Sequence, residues 1–232
     1  MNHLLRFLAV AGLCAASHVF AANNFEGKVT LAMTSAKGKT QDMNYSMKGQ
    51  KIRMDIKAEG HEMSSIMDME KLEMLMLMPE QNMYMVMPIK KPIEQAMEKQ
   101  GASTAEVELT GKTDTILGYK CNQILVKDKG TVTEMWVAEG LGMFMGLGNG
   151  GGGGGPFGGG HKAAAKWEEV LKGKGGFPLR VIMHDPKGKE TFKMEATKIE
   201  PGVRPDSDFV PPAGYQKFQM PDLGGLNPFK RN

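Results

Sequence analysis

The chain has 232 residues, a formal net charge of +3 at neutral pH and a hydrophobic fraction of 41%. This length suits one sizeable domain or two small ones, and the nearly balanced charge gives no argument for a nucleic-acid-binding protein. The chain has only two cysteines, so a packed core rather than a disulfide framework must hold the fold together.

The first 21 residues have the pattern of a secretory signal peptide. Arg6 precedes an apolar run over residues 7–16, and the small Ala21 ends a segment that signal peptidase would cut. The run is too short for a bilayer, which takes about 20 residues. We therefore predict a cleaved signal peptide and export to the periplasm. A lipoprotein signal at Cys14 is the alternative, although Leu13 is larger than the residue usually found before a lipidated cysteine.

Residues 25–87 alternate between apolar and polar side chains, which indicates strands with one buried face. The strands can be arranged as an antiparallel meander with turns at 48–51, 59–62, 70–71 and 79–82. Directly opposed residues share a side of a sheet. In this register every methionine from Met33 to Met87 falls on one face, and these are 13 of the 21 methionines in the chain.

The pattern changes after residue 88. Residues 89–100 have the period of a short helix, and strands are predicted at 106–110, 116–127 and 131–138. Residues 146–160 contain 11 glycines in 15 positions and predict a flexible loop, because they lack the Lys-Ser or Lys-Thr of a phosphate-binding loop. A second short helix at 161–172 and a hairpin of strands 177–185 and 190–198 precede a tail rich in proline and glycine, in which Phe209 and Tyr215 are predicted anchors.

The sequence offers little for catalysis. Three histidines remain after signal cleavage, His61, His161 and His184, and none lies in a motif with Cys121 or a serine. A nucleophile needs a base within hydrogen-bonding reach. We therefore predict a protein that is not an enzyme, with no cofactor. Cys121 is expected to be a small buried residue, the alternative being a dimerising or metal-binding thiol.

The methionine-rich face allows three interpretations. It can be a plain core, because methionine packs like other apolar side chains. It can be a surface for apolar ligands of variable shape, since methionine adapts its conformation and specifies packing poorly. It can also bind Cu(I), a soft ion that favours thioether sulfur, through Met-x-Met strands and with His61 near Met63. The first two interpretations are compatible.

Several short segments, taken in order, resemble a known family. They are Phe-Glu-Gly at 25–27, Gly-Tyr-Lys-Cys at 118–121, Glu-Met-Trp-Val-Ala at 134–138, Gly-Phe-Pro-Leu at 176–179 and Phe-Val-Pro-Pro-Ala-Gly-Tyr at 209–215. Together they resemble exported bacterial proteins of domain-of-unknown-function family 4412, over residues 25–215. The resemblance implies no catalytic residues. The pattern also looks like the lipoprotein-carrier (LolA/LolB-like) architecture, an unclosed half-barrel whose concave face holds acyl chains.

These observations lead to one expected organisation. We predict a mainly β (α+β) fold, a curved antiparallel sheet or unclosed half-barrel of about ten strands covered by two short helices. The expected domains are a signal peptide at 1–21, a single domain at 22–215 with the flexible loop 146–160, and an irregular tail at 216–232.

The predicted function is non-enzymatic binding of an apolar small molecule, lipid or lipopeptide in the periplasm, with no nucleic acid and with transient contact to a membrane or lipoprotein. A periplasmic Cu(I)-binding protein is the first alternative, and a structural envelope protein is the second. The predicted ligand-binding residues lie on the methionine-rich face: Tyr45, Met47, Met54, Met67, Met74, Met76, Met78, Met83, Met85 and Met87.

Overall fold

The structure is a computed structural model that describes residues 25–58, 60–91, 93–94, 105–142, 144 and 176–218. The predicted signal peptide and the glycine-rich stretch 146–160 lie outside these ranges. No helical segment within the ranges is both long enough and apolar enough to cross a membrane.

Twelve strands make up the described fold. They are β1 (Gly27–Ser35), β2 (Thr40–Lys48), β3 (Lys51–Ala58), β4 (His61–Asp68), β5 (Glu73–Met78), β6 (Met83–Pro88), β7 (Glu106–Ile116), β8 (Tyr119–Asp128), β9 (Thr131–Glu139), β10 (Gly176–His184), β11 (Glu190–Pro201) and β12 (Gln216–Lys217). They form one sheet in the order β12-β6-β5-β4-β3-β2-β1-β11-β10-β9-β8-β7. Every pair is antiparallel except β12 with β6, and the described edge strands β7 and β12 do not pair with each other. The prediction of a mainly β, unclosed, largely antiparallel sheet is confirmed.

The pairing of β1 to β6 follows the sequence-based meander closely. Met47 lies opposite Ile52, and Met76 lies opposite Met85, as the alternation predicts. Two turns differ. The turn between β4 and β5 spans residues 69–72 rather than 70–71, so Met69 lies in the turn instead of opposite Leu72. In the other, β3 and β4 are joined by a tighter turn that places Ile56 opposite Met63. That shift is by two residues, so it leaves each side chain on the predicted face.

The hairpin of β7 and β8 differs more from the prediction. We expected a strand to begin at Ile116, but β7 continues to Ile116 and the turn is formed by Leu117 and Gly118, with φ of 50° and 84°. The register shifts between Leu109 and Thr113, around Gly111 with φ of 73°. Gly111 therefore marks a β-bulge within a long strand rather than the end of one.

The two predicted helices are not supported by the described residues. Residues 161–172 lie outside the described ranges, as does most of 89–100. Helical backbone is seen at residues 90, 91, 93 and 94, where the Ile93 amide donates to the Ile89 carbonyl over 3.0 Å. Two short 3-10 turns, Pro79–Gln81 and Asp206–Phe209, are the other helical segments in the described part.

The main core joins both halves of the sheet. A row of opposed side chains runs across five neighbouring strands from β8 to β1, and each member is at most 2% exposed: Ile124, Met135, Val181, Met194 and Met33. In the centre of the core the rings of Tyr45 and Phe177 lie 5.3 Å apart, although two strands separate β2 from β10. Strands are spaced by about 4.8 Å, so these rings meet only if the sheet curves towards this face.

Residues 202–218, called the strap here, cross the opposite face of the sheet from β1 to β6. The Gly202 amide donates to the Glu26 carbonyl over 3.0 Å, and Lys48 forms an ion pair of 3.0 Å with Asp206. Phe209, which is 4% exposed, then packs with Ile66 and Leu77 in a second cluster. Beyond it, β12 pairs with the start of β6. The strap thus fixes the back of the strands that carry most of the methionines, and Phe209 and Tyr215 are anchors as predicted.

Candidate functional site

The strand pairings place twelve methionines on one side of the sheet, called the methionine face here. They are Met33, Met43, Met47, Met54, Met63, Met67, Met74, Met76, Met78, Met83, Met85 and Met87. Residues that oppose each other in an antiparallel pair point to the same side, and the registers of β1 to β6 connect all of them. Met69, the thirteenth in this stretch, lies in the turn between β4 and β5.

Burial divides the methionine face into two parts. On β1 and β2, Met33, Met43 and Met47 are at most 3% exposed and belong to the main core. On β4 to β6 the side chains are more accessible, and Met63 and Met76 are 52% and 40% exposed. We call the accessible part the open methionine patch, and its members are Met63, Met74, Met76, Met78, Met83, Met85 and Met87.

The predicted ligand-binding residues are distributed over both parts. Tyr45, Met47 and Met67 are buried in the main core, with exposures of 0%, 3% and 8%. Met54 and Met74 are partly buried and pack against that core. The other five predicted residues are exposed or half-buried in the open patch: Met76, Met78, Met83, Met85 and Met87.

An aromatic cluster covers the buried part of the methionine face. The ring of Phe144 lies 5.1 Å from the rings of both Tyr45 and Phe177. Next to it, a Cβ on Gly142 would come within 3.2 Å of the Met47 sulfur, so the chain passes close over β2. Sequence reasoning did not identify Phe144 or Phe177 as the cover, because both are distant in sequence from the meander.

The open patch offers dispersion contacts rather than hydrogen bonds. One row of opposed residues starts at Met54 on β3 and crosses the patch. Met54 lies opposite Ser65, Ser65 lies opposite Met76, and Met76 lies opposite Met85. Thioether side chains are flexible, polarizable and weak hydrogen-bond acceptors, so they adapt to apolar shapes without demanding polar partners. On the back of the same strands, Ile66, Leu77 and Phe209 are buried, so the strands that present the patch are held by packing.

The cysteine and the two histidines of the described part lie in different surroundings. Cys121 is buried, and its burial raises the pKa of the thiol, so it is a poor nucleophile. His61 is exposed and its Nδ1 lies 2.7 Å from the Glu80 carboxylate, while His184 Nδ1 lies 3.4 Å from the Gly188 carbonyl. His161 lies outside the described ranges. In the described part, no three side chains among His, Cys, Asp and Glu come together as a metal site.

Several solved structures are similar to this chain at low sequence identity. An uncharacterized conserved protein from Thermus thermophilus has a TM-score of 0.51 at 10% identity, over 87% of this chain and 93% of the other. The MucA/MucB complex of Pseudomonas aeruginosa gives 0.45 at 12% identity, over 79% of this chain and 54% of that one. The LolA superfamily protein NE2245 from Nitrosomonas europaea gives 0.33 at 11% identity, over 82% and 91%.

Sequence comparison gives the family. No curated protein matches the chain. The sequence model described as domain of unknown function DUF4412 matches residues 25–215, from the residues just before β1 to the second anchor of the strap. The match covers most of the chain and nearly the whole described sheet, and it agrees with the resemblance carried by the short segments. The chain belongs to the DUF4412 family.

Proposed function

We propose that this protein is a non-enzymatic binding protein of the cell envelope, which holds an apolar or lipidated ligand on the open methionine patch. The observation that supports this proposal is the change in burial along one continuous face. The row of side chains that begins with buried Tyr45 continues through Met54 and Ser65 to the exposed Met76. An apolar ligand placed on Met76 and Met85 would therefore extend the core.

The physical argument concerns exposed apolar area. Full burial of a methionine side chain is worth about 1.5–3 kcal/mol relative to an exposed one. Seven methionines are accessible to different degrees on β4 to β6. Large contiguous apolar surfaces on a protein usually mark a binding site. Methionine suits a ligand of variable shape, such as an acyl chain, because its side chain repacks easily.

The proposed location follows from the sequence of the first 21 residues. A signal peptide there would deliver the protein to the periplasm, where acylated lipids and lipoproteins pass between membranes. Transient contact with a membrane or a lipoprotein belongs to the same proposal, because such a ligand must be collected and released.

A charge-introduction experiment tests the patch. We expect the double substitution Met76→Asp, Met85→Asp to weaken binding of a fluorescent fatty acid by about tenfold or more, because a ligand would then bury unpaired carboxylates. The matched control is Val203→Asp, Val210→Asp, two exposed apolar residues of the strap with 81% and 46% exposure. Equal binding by the wild type and the patch variant would contradict the proposal.

A second variant separates this proposal from copper binding through the Met-x-Met strands. Met76→Leu with Met85→Leu removes two sulfurs but conserves volume and apolarity, and such exchanges usually cost less than about 1.5 kcal/mol. We expect this variant to bind the fatty acid as the wild type does. If the wild type instead held Cu(I) against a competing chelator, this variant lost it, and neither bound the fatty acid, the apolar-ligand proposal would be wrong.

A further inference from the structure

We propose a separate binding site for a soft monovalent cation, Cu(I) or Ag(I), at the corner of the open patch where β4 begins and β5 turns into β6. Its ligands are the imidazole of His61 and the thioethers of Met63, Met78 and Met83, called the sulfur–imidazole corner here. The inference does not depend on the proposed apolar ligand, which would occupy the wider patch.

The pairing of three strands brings these side chains together. Met78 lies opposite Met83 in the pairing of β5 with β6. The pairing of β4 with β5 ends at Ser64 and Leu77, so Met63 and Met78 are the next residues of the two adjacent strands. The contact of His61 Nδ1 with Glu80 Oε1, 2.7 Å, places the first residue of β4 next to the turn Pro79–Gln81 that joins β5 to β6.

The three methionines therefore form one row across adjacent strands. Neighbouring strands are about 4.8 Å apart, and opposed side chains on one face are within contact reach. His61 lies two residues before Met63 on β4 and so points to the same face. A cation above Met78 is within reach of one imidazole and three thioethers.

Glu80 supplies the positioning interaction that such a site needs. A histidine that ligates a metal through one ring nitrogen usually donates the other N–H to a carboxylate, which fixes the ring orientation. Here the Nδ1 atom of His61 lies against Glu80 Oε1, so Nε2 is the nitrogen that would ligate the cation. The carboxylate also offsets the positive charge of the bound ion. Glu80 is a positioning residue in this proposal.

The chemistry of the donors selects the ion. Thioether sulfur is a soft, neutral ligand that prefers Cu(I) over the harder divalent ions, and imidazole also suits copper. The row of Met76 and Met85 lacks a third thioether and an imidazole, because the residue opposite Met76 on β4 is Ser65. The side chains of His61 and Met63 are exposed, 72% for the His61 side chain and 52% for Met63, so a cation can reach the corner from solvent.

Titration of the purified full chain with Ag(I), followed by native mass spectrometry and competition with a chelator, tests the site. We expect one tightly held ion in the wild type. Met63→Leu with Met78→Leu should abolish it, and His61→Ala should weaken it strongly. Glu80→Gln should lower the affinity by about 10–100-fold, the usual effect of losing a positioning carboxylate.

The matched control is Met76→Leu with Met85→Leu, which removes as many sulfurs from the same patch and should leave the Ag(I) affinity unchanged. Each Leu variant preserves the apolar surface, so fatty-acid binding reports the proposed function separately, and circular dichroism reports folding. Absence of a tight ion in the wild type would overturn the proposal. Equal loss in both Leu variants would overturn it too, since it would mean adsorption to methionine in general.

Discussion

Glu195 lies in an ion-pair group on the outer side of β10 and β11. Its carboxylate accepts a hydrogen bond from Arg180 Nε over 2.8 Å and pairs with Lys193 Nζ at 2.7 Å, while Arg180 also binds Asp114 at 3.0 Å. Burial alone would raise the pKa of Glu195. The bonds from Lys193 and Arg180 outweigh it and hold the pKa of this carboxyl below its usual value.

Glu195→Gln tests that effect as a function of pH. A carboxyl whose pKa is lower in the folded state contributes stability above its unfolded pKa, about 4.3, and loses that contribution as the pH falls through the folded value. We expect the variant to be less stable than the wild type at neutral pH by about 1 kcal/mol or less, since the group is partly exposed. The difference should vanish in acid.

Urea unfolding at several pH values measures the difference directly. The control is Glu190→Gln, an exposed glutamate on the same strand, which should give a smaller and flatter difference. A Glu195 effect that persists unchanged below the folded pKa would show that packing rather than charge is responsible.

At the scale of whole elements, alternation is enough to predict the meander. One face of β1 to β4 faces the core, so a shift by one residue would expose its apolar set, and the sequence permits only the observed face. Turn lengths are less predictable, as the tighter β3–β4 turn shows. The pattern around Gly111 predicts the end of a strand because a bulge and a turn both favour positive φ, and only pairing with β8 distinguishes them.

The accessible part of the methionine face could not be predicted from the meander alone. Periodicity gives the side of a sheet to which Met47 and Met76 point, which is the same side. It does not tell which of them is covered, because the cover over Met47 comes from Gly142 and Phe144, far along the chain. The alternation therefore predicts the methionine face but not where its buried part ends and its accessible part begins.

The strap makes a prediction at the level of one element. Phe209 fills the small cluster behind β4 and β5, and the main-chain carbonyl of Asp208 accepts a hydrogen bond of 3.0 Å from Arg53. We expect Phe209→Ala to destabilise the protein by about 3–5 kcal/mol, the usual cost of this truncation in a core. The control is Val203→Ala, since Val203 is 81% exposed.

Chemical unfolding monitored by circular dichroism measures both variants. The same Phe209 variant should become more prone to aggregate, because β12, near the end of the strap, covers part of the edge of β6. A Phe209 variant as stable as Val203→Ala would mean that the strap does not hold the sheet.

On the scale of the molecule, one sheet provides both the core and the candidate site. Its concave face is buried where β1 to β4 meet β8 to β11, and it stays accessible where β5 and β6 extend beyond that contact. No fully buried member of the main core comes from β5 or β6 in the described residues. The strap packs behind β4 and β5 and pairs with β6, so it supports the strands that present these apolar side chains.

The contact of Phe144 with Phe177 leads to a prediction about the glycine-rich stretch. These rings lie 5.1 Å apart on either side of residues 145–175, and both are buried in the main core. Because the core itself holds the two ends together, the length between them should matter little, about 0.6 kcal/mol for each doubling of a flexible loop. We expect deletion of residues 150–155 to leave the unfolding midpoint nearly unchanged. Phe144→Ala should lower stability by about 3–5 kcal/mol. Thermal unfolding of the two variants beside the wild type decides the matter, and a large loss of stability or cooperativity on deletion would show that the glycines themselves pack against the fold.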